Sequence, residues 1–563
     1  EISFTGIEEG SVTKADAPDP AESHTSSTVK VEALPRSVGC SHVFAGSSDY
    51  MEIDLEVPAE GMLLVGAILA TTGATAVRNA YWYTQVPEER IREVRIAVAT
   101  TTFKNEGYIL PNIKTMREDV LGSGQPVAEA LHLFVVDNGQ TLDAEGLSHD
   151  GVTVLPNANE GGSAGFARGM MAALEADERF THVLLMDDDV RIAPESIIRT
   201  FNLLSLVTNE YADAFINGAM LEMQHPNKQF EDVSHVRADG IYQRLKGDLF
   251  MDSLVDVAVN EVVDVEVQNA YGAWWYSCIP LSAVRAHGLP LPIFVRCDDV
   301  EYGMRCKPTY MTMNGICVWH MAFGEKFRAA VDSYQYLRNY MIMNAIHGIS
   351  SETMFMARAN RTLRMYLRAM AYETADLFVS GFEDYLKGPE WLMGASGEKL
   401  FKEGNARAEK LIPLADALSD ASAEHPELAA SFAAFQPDED AVRDNQRAGL
   451  LLRLWRTAPY DRHLLPDALL RSAPATAYYG GYTIFSPAQI GTKVLVACDR
   501  AGEMAHVRFM DRALWKAIRK RWAAVKADYR LRGADVAQAY RDALPEMSSV
   551  EYWREHLRSG DQV

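Results

Sequence analysis

From about position 91 the apolar residues come in short unbroken runs. Ile96-Ala-Val-Ala-Thr100, Leu131-His-Leu-Phe-Val-Val136 and Val183-Leu-Leu-Met186 show no alternation of polar and apolar positions. Strands covered on both faces, as in a parallel sheet, have this pattern. Helix-compatible stretches lie between them, such as Ala164 to Asp177 with Phe166, Met170 and Leu174. Strand and helix in alternation predict an α/β domain with right-handed crossovers, whose ligands gather at the carboxyl ends of the strands. Upstream the period changes to two: Met51, Ile53, Leu55 and Val57 alternate with Glu52, Asp54 and Glu56, and Val29-Lys-Val-Glu-Ala-Leu34 begins the same way. Strands with one apolar face, folded as a small antiparallel sandwich, are the simplest expectation there. From about Ser351 the chain turns helical. Met354 to Leu386 is dense in Met, Ala, Leu and Arg, and Ala513 to Asp528 carries a basic cluster at Lys516, Arg519, Lys520 and Arg521. Tyr478 to Cys498, rich in Gly, Tyr and Val, suits a small hairpin. The expected division is an N-terminal β-sandwich domain over residues 1–90, an α/β domain over 91–350 and a mainly helical C-terminal domain over 351–563.

Composition narrows the function classes. A chain of 563 residues suggests two to four domains, and 48% hydrophobic with 23% charged residues excludes a largely disordered or collagen-like protein. A net charge of −23 argues against a dedicated nucleic-acid binder, yet permits phosphate ligands bridged by a divalent cation. The six cysteines form no CxxC pair and read as reduced thiols of a cytoplasmic protein. The longest apolar run, Gly61 to Ala70, is shorter than the roughly 20 residues needed to span a bilayer. No basic start with a following apolar stretch is present, so no secretion signal is expected.

The strongest chemical signal is Leu184-Leu-Met-Asp-Asp-Asp-Val190, an apolar strand running into three carboxylates. In extended backbone Asp187 and Asp189 share a side and can converge on one hard cation. The competing reading is an acidic turn that caps a helix begun by Pro194-Glu-Ser. In Val135-Val-Asp-Asn-Gly-Gln140, Asp137 or Asn138 can hydrogen-bond a base or ribose, although Asn-Gly is also ordinary turn chemistry. The glycines of Asn159-Glu-Gly-Gly-Ser-Ala-Gly-Phe-Ala-Arg168, Gly162 among them, allow close approach of a ligand to a helix N-terminus that favours anions. Trp274-Trp275, read as strand residues facing opposite ways, offer one ring to the core and one to a cleft, with two core tryptophans as the alternative. Asp298 and Asp299 follow the apolar stretch Pro290 to Val295 and offer a general base, or simply a helix cap. His320 ends the apolar Val318-Trp-His320. Alone it reads as structural, but with Asp187 and Asp189 it completes an O,O,N set suited to Mn²⁺ or Mg²⁺.

These pieces, in this order, resemble a GT-A glycosyltransferase of family 2, and in detail the polymerising galactofuranosyltransferases with which actinobacteria build cell-wall galactan. The resemblance is carried by Asn159-Glu-Gly-Gly-Ser-Ala-Gly-Phe, Met186-Asp-Asp-Asp, Gly218-Ala-Met-Leu-Glu-Met-Gln224, Trp274-Trp275, Asp298-Asp299-Val-Glu-Tyr-Gly and Trp319-His320-Met-Ala. Asp384-Tyr-Leu-Lys-Gly-Pro-Glu390 and Tyr540-Arg-Asp-Ala-Leu-Pro545 extend it beyond the α/β domain. It implies a GT-A catalytic domain between a sandwich-like N-terminal domain and a helical C-terminal region. It further implies that Asp187, Asp189 and His320 hold Mn²⁺ or Mg²⁺ on the diphosphate of UDP-galactofuranose, and that Asp299 is the catalytic base. Thr102, Phe103, Asn138, Asn159 and Asp188 would lie at the nucleotide, and Trp274, Trp275, Asp298 and Gly162 at the sugar or acceptor. One turn departs from the family: in Thr101-Thr102-Phe103-Lys104-Asn105, Asn105 stands where the family has a nucleotide-contacting arginine, with Lys104 one residue away. The segment after Gln224, His225-Pro-Asn-Lys-Gln, differs as well, and His235 lies near it.

The implied acceptor is a lipid-linked glycan. Peripheral contact with the cytoplasmic face of the membrane through Lys516 to Lys526 is one reading of that basic stretch; a solvated face or a homo-oligomer contact are the others. Other expectations to be weighed are a rhamnosyl or galactopyranosyl donor on the same fold, and a non-catalytic glycan-binding or scaffolding protein.

Overall fold

Ile96–Thr102, Leu131–Asp137 and His182–Asp187 are strands in the computed structural model of the chain, which describes residues 2–8, 12–14, 29–31, 36–37, 52–53, 62–78, 80–176, 180–322, 327–438, 461–480 and 489–560. They belong to a seven-stranded sheet in the spatial order Val152–Pro156, Leu131–Asp137, Ile96–Thr102, His182–Asp187, Ser277–Pro280, Phe215–Asn217, Tyr310–Met311. Ser277–Pro280 runs against its two neighbours; the other six strands run the same way. Ile96, Val98, Val135, Leu184 and Leu185 are fully buried, which is why their segments lack polar alternation. The expected α/β class is borne out, as is the helical character of the C-terminal region.

The glycines of Gly161–Glu175 serve packing first. This helix lies against Ile96–Thr102, and a Cβ on Gly165 would stand 1.9 Å from Thr101 Oγ1, one on Gly169 2.5 Å from Ala99 Cβ. Gly165→Ala therefore pushes helix and central strand apart. It is expected to cost about 1–3 kcal/mol, measurable as a lowered Tm.

A second sheet is ordered Arg191–Ile192, Cys317–His320, Ala219–Glu222, Lys228–Glu231, Leu249–Phe250. Arg191 pairs with Trp319 and Ile192 with Val318, so the strand that ends in His320 is drawn beside the acidic turn 187–189.

Beyond it, Tyr336–His347, Glu352–Arg368, Tyr372–Tyr385 and Arg512–Met547 share a core with Phe355, Phe378, Phe382, Trp515, Trp522 and Tyr540. The helical reading of 354–386 is interrupted once. Met370 has φ +54, its N–H donates to the Leu367 carbonyl and that of Ala371 to Tyr366, which closes the first helix in a left-handed cap. The hairpin expected at 478–498 is corrected: Ala475–Tyr478 pairs with Val494–Cys498 in parallel, and the antiparallel partner of that strand is Met504–Phe509. The described N-terminal residues form two antiparallel sheets, Arg36–Ser37, Ile2–Glu8, Met62–Leu69 and Val12–Lys14 with Val29–Val31. Of the strand expected at 51–57, Glu52 and Ile53 are coil and the rest lies outside the described residues.

Candidate active site

The His182–Asp187 strand stops at Asp187, and Asp188 and Asp189 form a turn rather than continuing the extended backbone. Convergence is reached through that turn. One ligand atom each of Asp187, Asp189 and His320 lies within 4.8 Å of the others. Asn112, buried in helix Glu106–Thr115, holds the turn by donating Nδ2 to the carbonyls of Asp188 and Val190, both at 2.9 Å. The following helix, Pro194–Leu206, begins with proline after Ala193, so the aspartates are not its caps. His320 Nδ1 donates to the Met321 carbonyl at 2.6 Å, which directs Nε2 at Asp189 Oδ1, 3.0 Å away.

Crowding of carboxylates in a poorly solvated cleft governs their protonation. Asp187 is pushed up to about 7 by burial and by Asp189, with His320 opposing. Asp188 rises to about 6 through burial, against the Thr102 and Asn105 side chains that hold it down. Burial would depress His320, but the hydrogen bond and charge of Asp189 outweigh it and raise its pKa. Two carboxylates and an imidazole repelling or protonating one another in this way fit a divalent cation, which replaces the shared protons.

Opposite stand Asp298 and Asp299, the first residues of helix Asp298–Cys306. Burial lifts Asp298 to about 6. Burial and the charge of Asp298 raise Asp299 well above the carboxylate range, with Glu231 and Asp187 adding to it. Asp299 Oδ1 accepts from the Val300 N–H at 2.7 Å. The helix-pairing role falls to Glu301, which binds Arg305 and His347. Glu231 was not singled out from the sequence. It ends the Lys228–Glu231 strand, is raised to about 7 by burial, and takes a hydrogen bond from Ser234 Oγ at 2.6 Å.

The segment before Asp298 is strained. Phe294, Arg296 and Cys297 have φ of +69°, +70° and +69°. Left-handed conformations of such residues cost about 1–2 kcal/mol each, so surrounding contacts must hold them.

The remaining expected site residues fall into two groups. Thr102 is buried beside Asp188, Phe103 is 44% exposed at the end of the central strand, and Gly162 lies 3.8 Å, from an ideal Cβ, from Asp298 Oδ2. Lys104, left-handed at φ +53, reaches over the Phe103 ring at 5.3 Å. The others are occupied internally. Asn138 donates to the Gly161 carbonyl at 3.0 Å and accepts from Asn157 at 2.8 Å, while Asp137 takes the N–H groups of Gly139, Thr141 and Leu142. Asn159 donates to Glu398 of the C-terminal region at 3.1 Å. Trp274 and Trp275 lie in a turn, not in a strand, and are 4% and 5% exposed. Trp274 packs edge-on against Phe166 and Tyr302, and Trp275 Nε1 donates to the Gly218 carbonyl at 3.0 Å, so the expected open ring face is absent.

Comparison with known proteins adds the reaction class. No family model matches the chain. The chain is 26% identical over 544 residues to galactofuranosyltransferase GlfT2 of Mycolicibacterium smegmatis, spanning 90% of this chain and 78% of that protein. With galactofuranosyltransferase GlfT2 of Mycobacterium tuberculosis it shares 25% identity over 555 residues, 92% of this chain and 82% of that protein. The chain is a glycosyltransferase. The resemblance to actinobacterial galactofuranosyltransferases expected from its motifs is borne out along nearly its whole length. Among solved structures it is similar to a mannosyltransferase of Pyrobaculum calidifontis in complex with GDP-Man and Mn²⁺, with TM-score 0.28 and 13% identity, over 65% of this chain and 84% of that one. Glucosyl-3-phosphoglycerate synthase of Mycobacterium tuberculosis, with Mn²⁺, UDP and glucosyl-3-phosphoglycerate, follows at TM-score 0.29 and 12% identity, over 48% of this chain and 88% of that one. Among the described residues of the glycosyltransferase, no helix is long and apolar enough to cross a membrane.

Proposed function

We propose that the chain transfers galactofuranose from UDP-galactofuranose to a hydroxyl of a lipid-linked, galactan-type glycan, with inversion at the anomeric carbon. The observation that carries this reading is the pairing of two acidic centres: the Asp187–Asp189–His320 cluster and the Asp298–Asp299 pair, near enough for Asp187 to raise the pKa of Asp299 and for Asp298 to raise that of Asp187. The names of the two relatives support the sugar. Asp187, Asp189 and His320 would hold Mn²⁺ or Mg²⁺, which supplies Lewis-acid stabilisation of the departing diphosphate. Phe103 offers its exposed face to the base, and the N-terminus of helix Gly161–Glu175 favours the phosphates. Asp299 accepts the proton of the acceptor hydroxyl as that oxygen attacks the sugar from the side opposite the diphosphate. Its raised pKa makes it a stronger base than an exposed aspartate.

The same reading keeps the three-part division at about residues 90 and 350. It also keeps the Lys516–Lys526 stretch as a membrane-facing surface: Lys516, Arg519 and Lys520 are exposed on helix Arg512–Met547, while Arg521 is paired with Glu383 and Asp376.

A donor panel tests the proposal. With Mn²⁺ and a short galactofuranosyl lipid acceptor, mass spectrometry is expected to show added hexose units from UDP-galactofuranose and none from UDP-galactopyranose or dTDP-rhamnose. Transfer from dTDP-rhamnose alone would replace the sugar assignment and leave the metal and base roles intact. Nucleotide binding is expected to depend on metal: EDTA should weaken UDP binding at least about tenfold in calorimetry, because the acidic cleft then repels the diphosphate.

A further inference from the structure

The strained loop in front of the Asp298–Asp299 pair receives three hydrogen bonds from one side chain. Asn339, fully buried in helix Tyr336–His347, points its Nδ2 at three loop carbonyls: Ile293 at 2.9 Å, Val295 at 2.9 Å and Arg296 at 3.0 Å. Two amide hydrogens thus serve three acceptors, all on a segment more than forty positions upstream. The orientation of the amide is set by its neighbour. Arg338, 1% exposed, donates Nε to Asn339 Oδ1 at 3.0 Å, and its Nη2 donates to the Ile293 carbonyl at 3.1 Å and to Gln335 Oε1 at 2.6 Å. On the opposite side the loop meets the glycine turn. Ser163 N–H donates to the Phe294 carbonyl at 3.2 Å and Ser163 Oγ to that of Leu291 at 2.8 Å, while a Cβ on Gly161 would stand 2.2 Å from the Phe294 oxygen.

The loop is therefore clamped between the helix Tyr336–His347 and the turn that opens helix Gly161–Glu175. It ends in Cys297, left-handed, and delivers Asp298 and Asp299 as the next two residues. A helix interior is an unfavourable place for Asn, and an apolar residue could fill this volume without needing partners. What an apolar residue could not do is keep three carbonyls turned inward.

We propose that Asn339, oriented by Arg338, is a positioning residue: it locks the 293–297 loop, with Phe294, Arg296 and Cys297 left-handed, and thereby fixes the Asp298–Asp299 carboxylates relative to the Gly161–Gly162 turn. The proposal rests on the reading of Asp299 as the base.

The test compares Asn339→Ala and the near-isosteric Asn339→Asp, which turns a carboxylate on the three carbonyls, with Asn360→Ala. The last removes the acceptor of Trp522 Nε1 in the helical core and serves as a control for lost stability. Tm, UDP affinity in Mn²⁺, and the pH profile of kcat are read for each. Both Asn339 variants are expected to lose about 100-fold in kcat, as displaced catalytic groups do. Their UDP affinity should stay within about threefold of the parent, and the acid limb of kcat should move as the two carboxylates change spacing. Asn360→Ala should lower Tm and leave kcat unchanged. Arg338→Lys, which keeps the charge but loses the Nε donor, should lower kcat about tenfold in the same pattern, and it decides the matter if the Asn339 variants do not fold. Unchanged kcat and acid limb in the folded variants would overturn the proposal, as would kcat and UDP binding falling together in step with Tm. Asp299→Asn separates the two readings. Full activity there defeats the base assignment, whereas an inactive Asp299→Asn beside fully active Asn339 and Arg338 variants defeats the positioning role alone.

Discussion

Asp299→Asn is expected to lower the rate of transfer by about 10²–10⁴-fold and at the same time to raise the melting temperature at neutral pH. The first effect follows from loss of the proton acceptor. Asparagine keeps the shape and can still accept the Val300 N–H, so UDP binding in the presence of metal should persist. The second effect follows from linkage. Burial and Asp298 raise the folded pKa of Asp299 above its unfolded value. The folded state therefore binds the proton more tightly, and that contribution to stability is complete below the unfolded pKa of about 3.9 and is lost as pH rises towards the folded value. The neutral amide carries no such loss. The gain in Tm should be largest at pH 7–8 and vanish towards pH 4. In the parent enzyme kcat should fall on acidification through an acid limb lying well above the ordinary carboxylate range, and the residual rate of Asp299→Asn should lack that limb. A variant with parental kcat would remove Asp299 from the chemistry.

Removing a metal ligand has the second large effect. Asp189→Asn and His320→Ala each take one donor from the three-residue cluster. Losing partners that merely orient such ligands typically costs 10–100-fold in affinity, so loss of a ligand itself should exceed about 100-fold for Mn²⁺. Without added metal, Asp189→Asn should melt higher than the parent, because Asp189 is a leading cause of the raised Asp187 pKa and that repulsion is relieved. The parent should gain Tm on addition of Mn²⁺ and UDP, and the variants should not. Mn²⁺ binding of parental strength in both variants would place the ion elsewhere.

The parts of this site that lie at the ends of buried strands were legible because their chemistry is local. An apolar run followed directly by Asp187, Asp188 and Asp189 marks both a strand and its ligand-facing end, and His320 closes a shorter strand whose positions alternate between half-buried and buried. Longer-range features had no such signature. Glu231 reaches the cleft through pairing of the second sheet, and Asn112 secures the acidic turn from a helix some seventy-five residues upstream. Asn339 meets its loop only once the helical region has docked. Local signals also misled where turns replaced strands. Trp274 and Trp275 alternate faces only in extended backbone, and the turn they occupy buries both. The 478–498 segment lacks a cue that would separate parallel from antiparallel partners, since its strand Val494–Cys498 is buried on both sides and takes one of each. Met370 occupies a left-handed cap that glycine usually fills, so the break between two helices left no trace in composition.

The most direct test of the account is the anomeric configuration of the first product formed from UDP-galactofuranose and Mn²⁺, read by NMR on a short galactofuranosyl acceptor. A base on one face of the sugar and a metal-held diphosphate on the other predict a linkage of configuration opposite to that of the donor. A product that retains the donor configuration would contradict it, because retention requires chemistry on the diphosphate face that this arrangement of Asp299 and the Asp187–Asp189–His320 cluster does not provide.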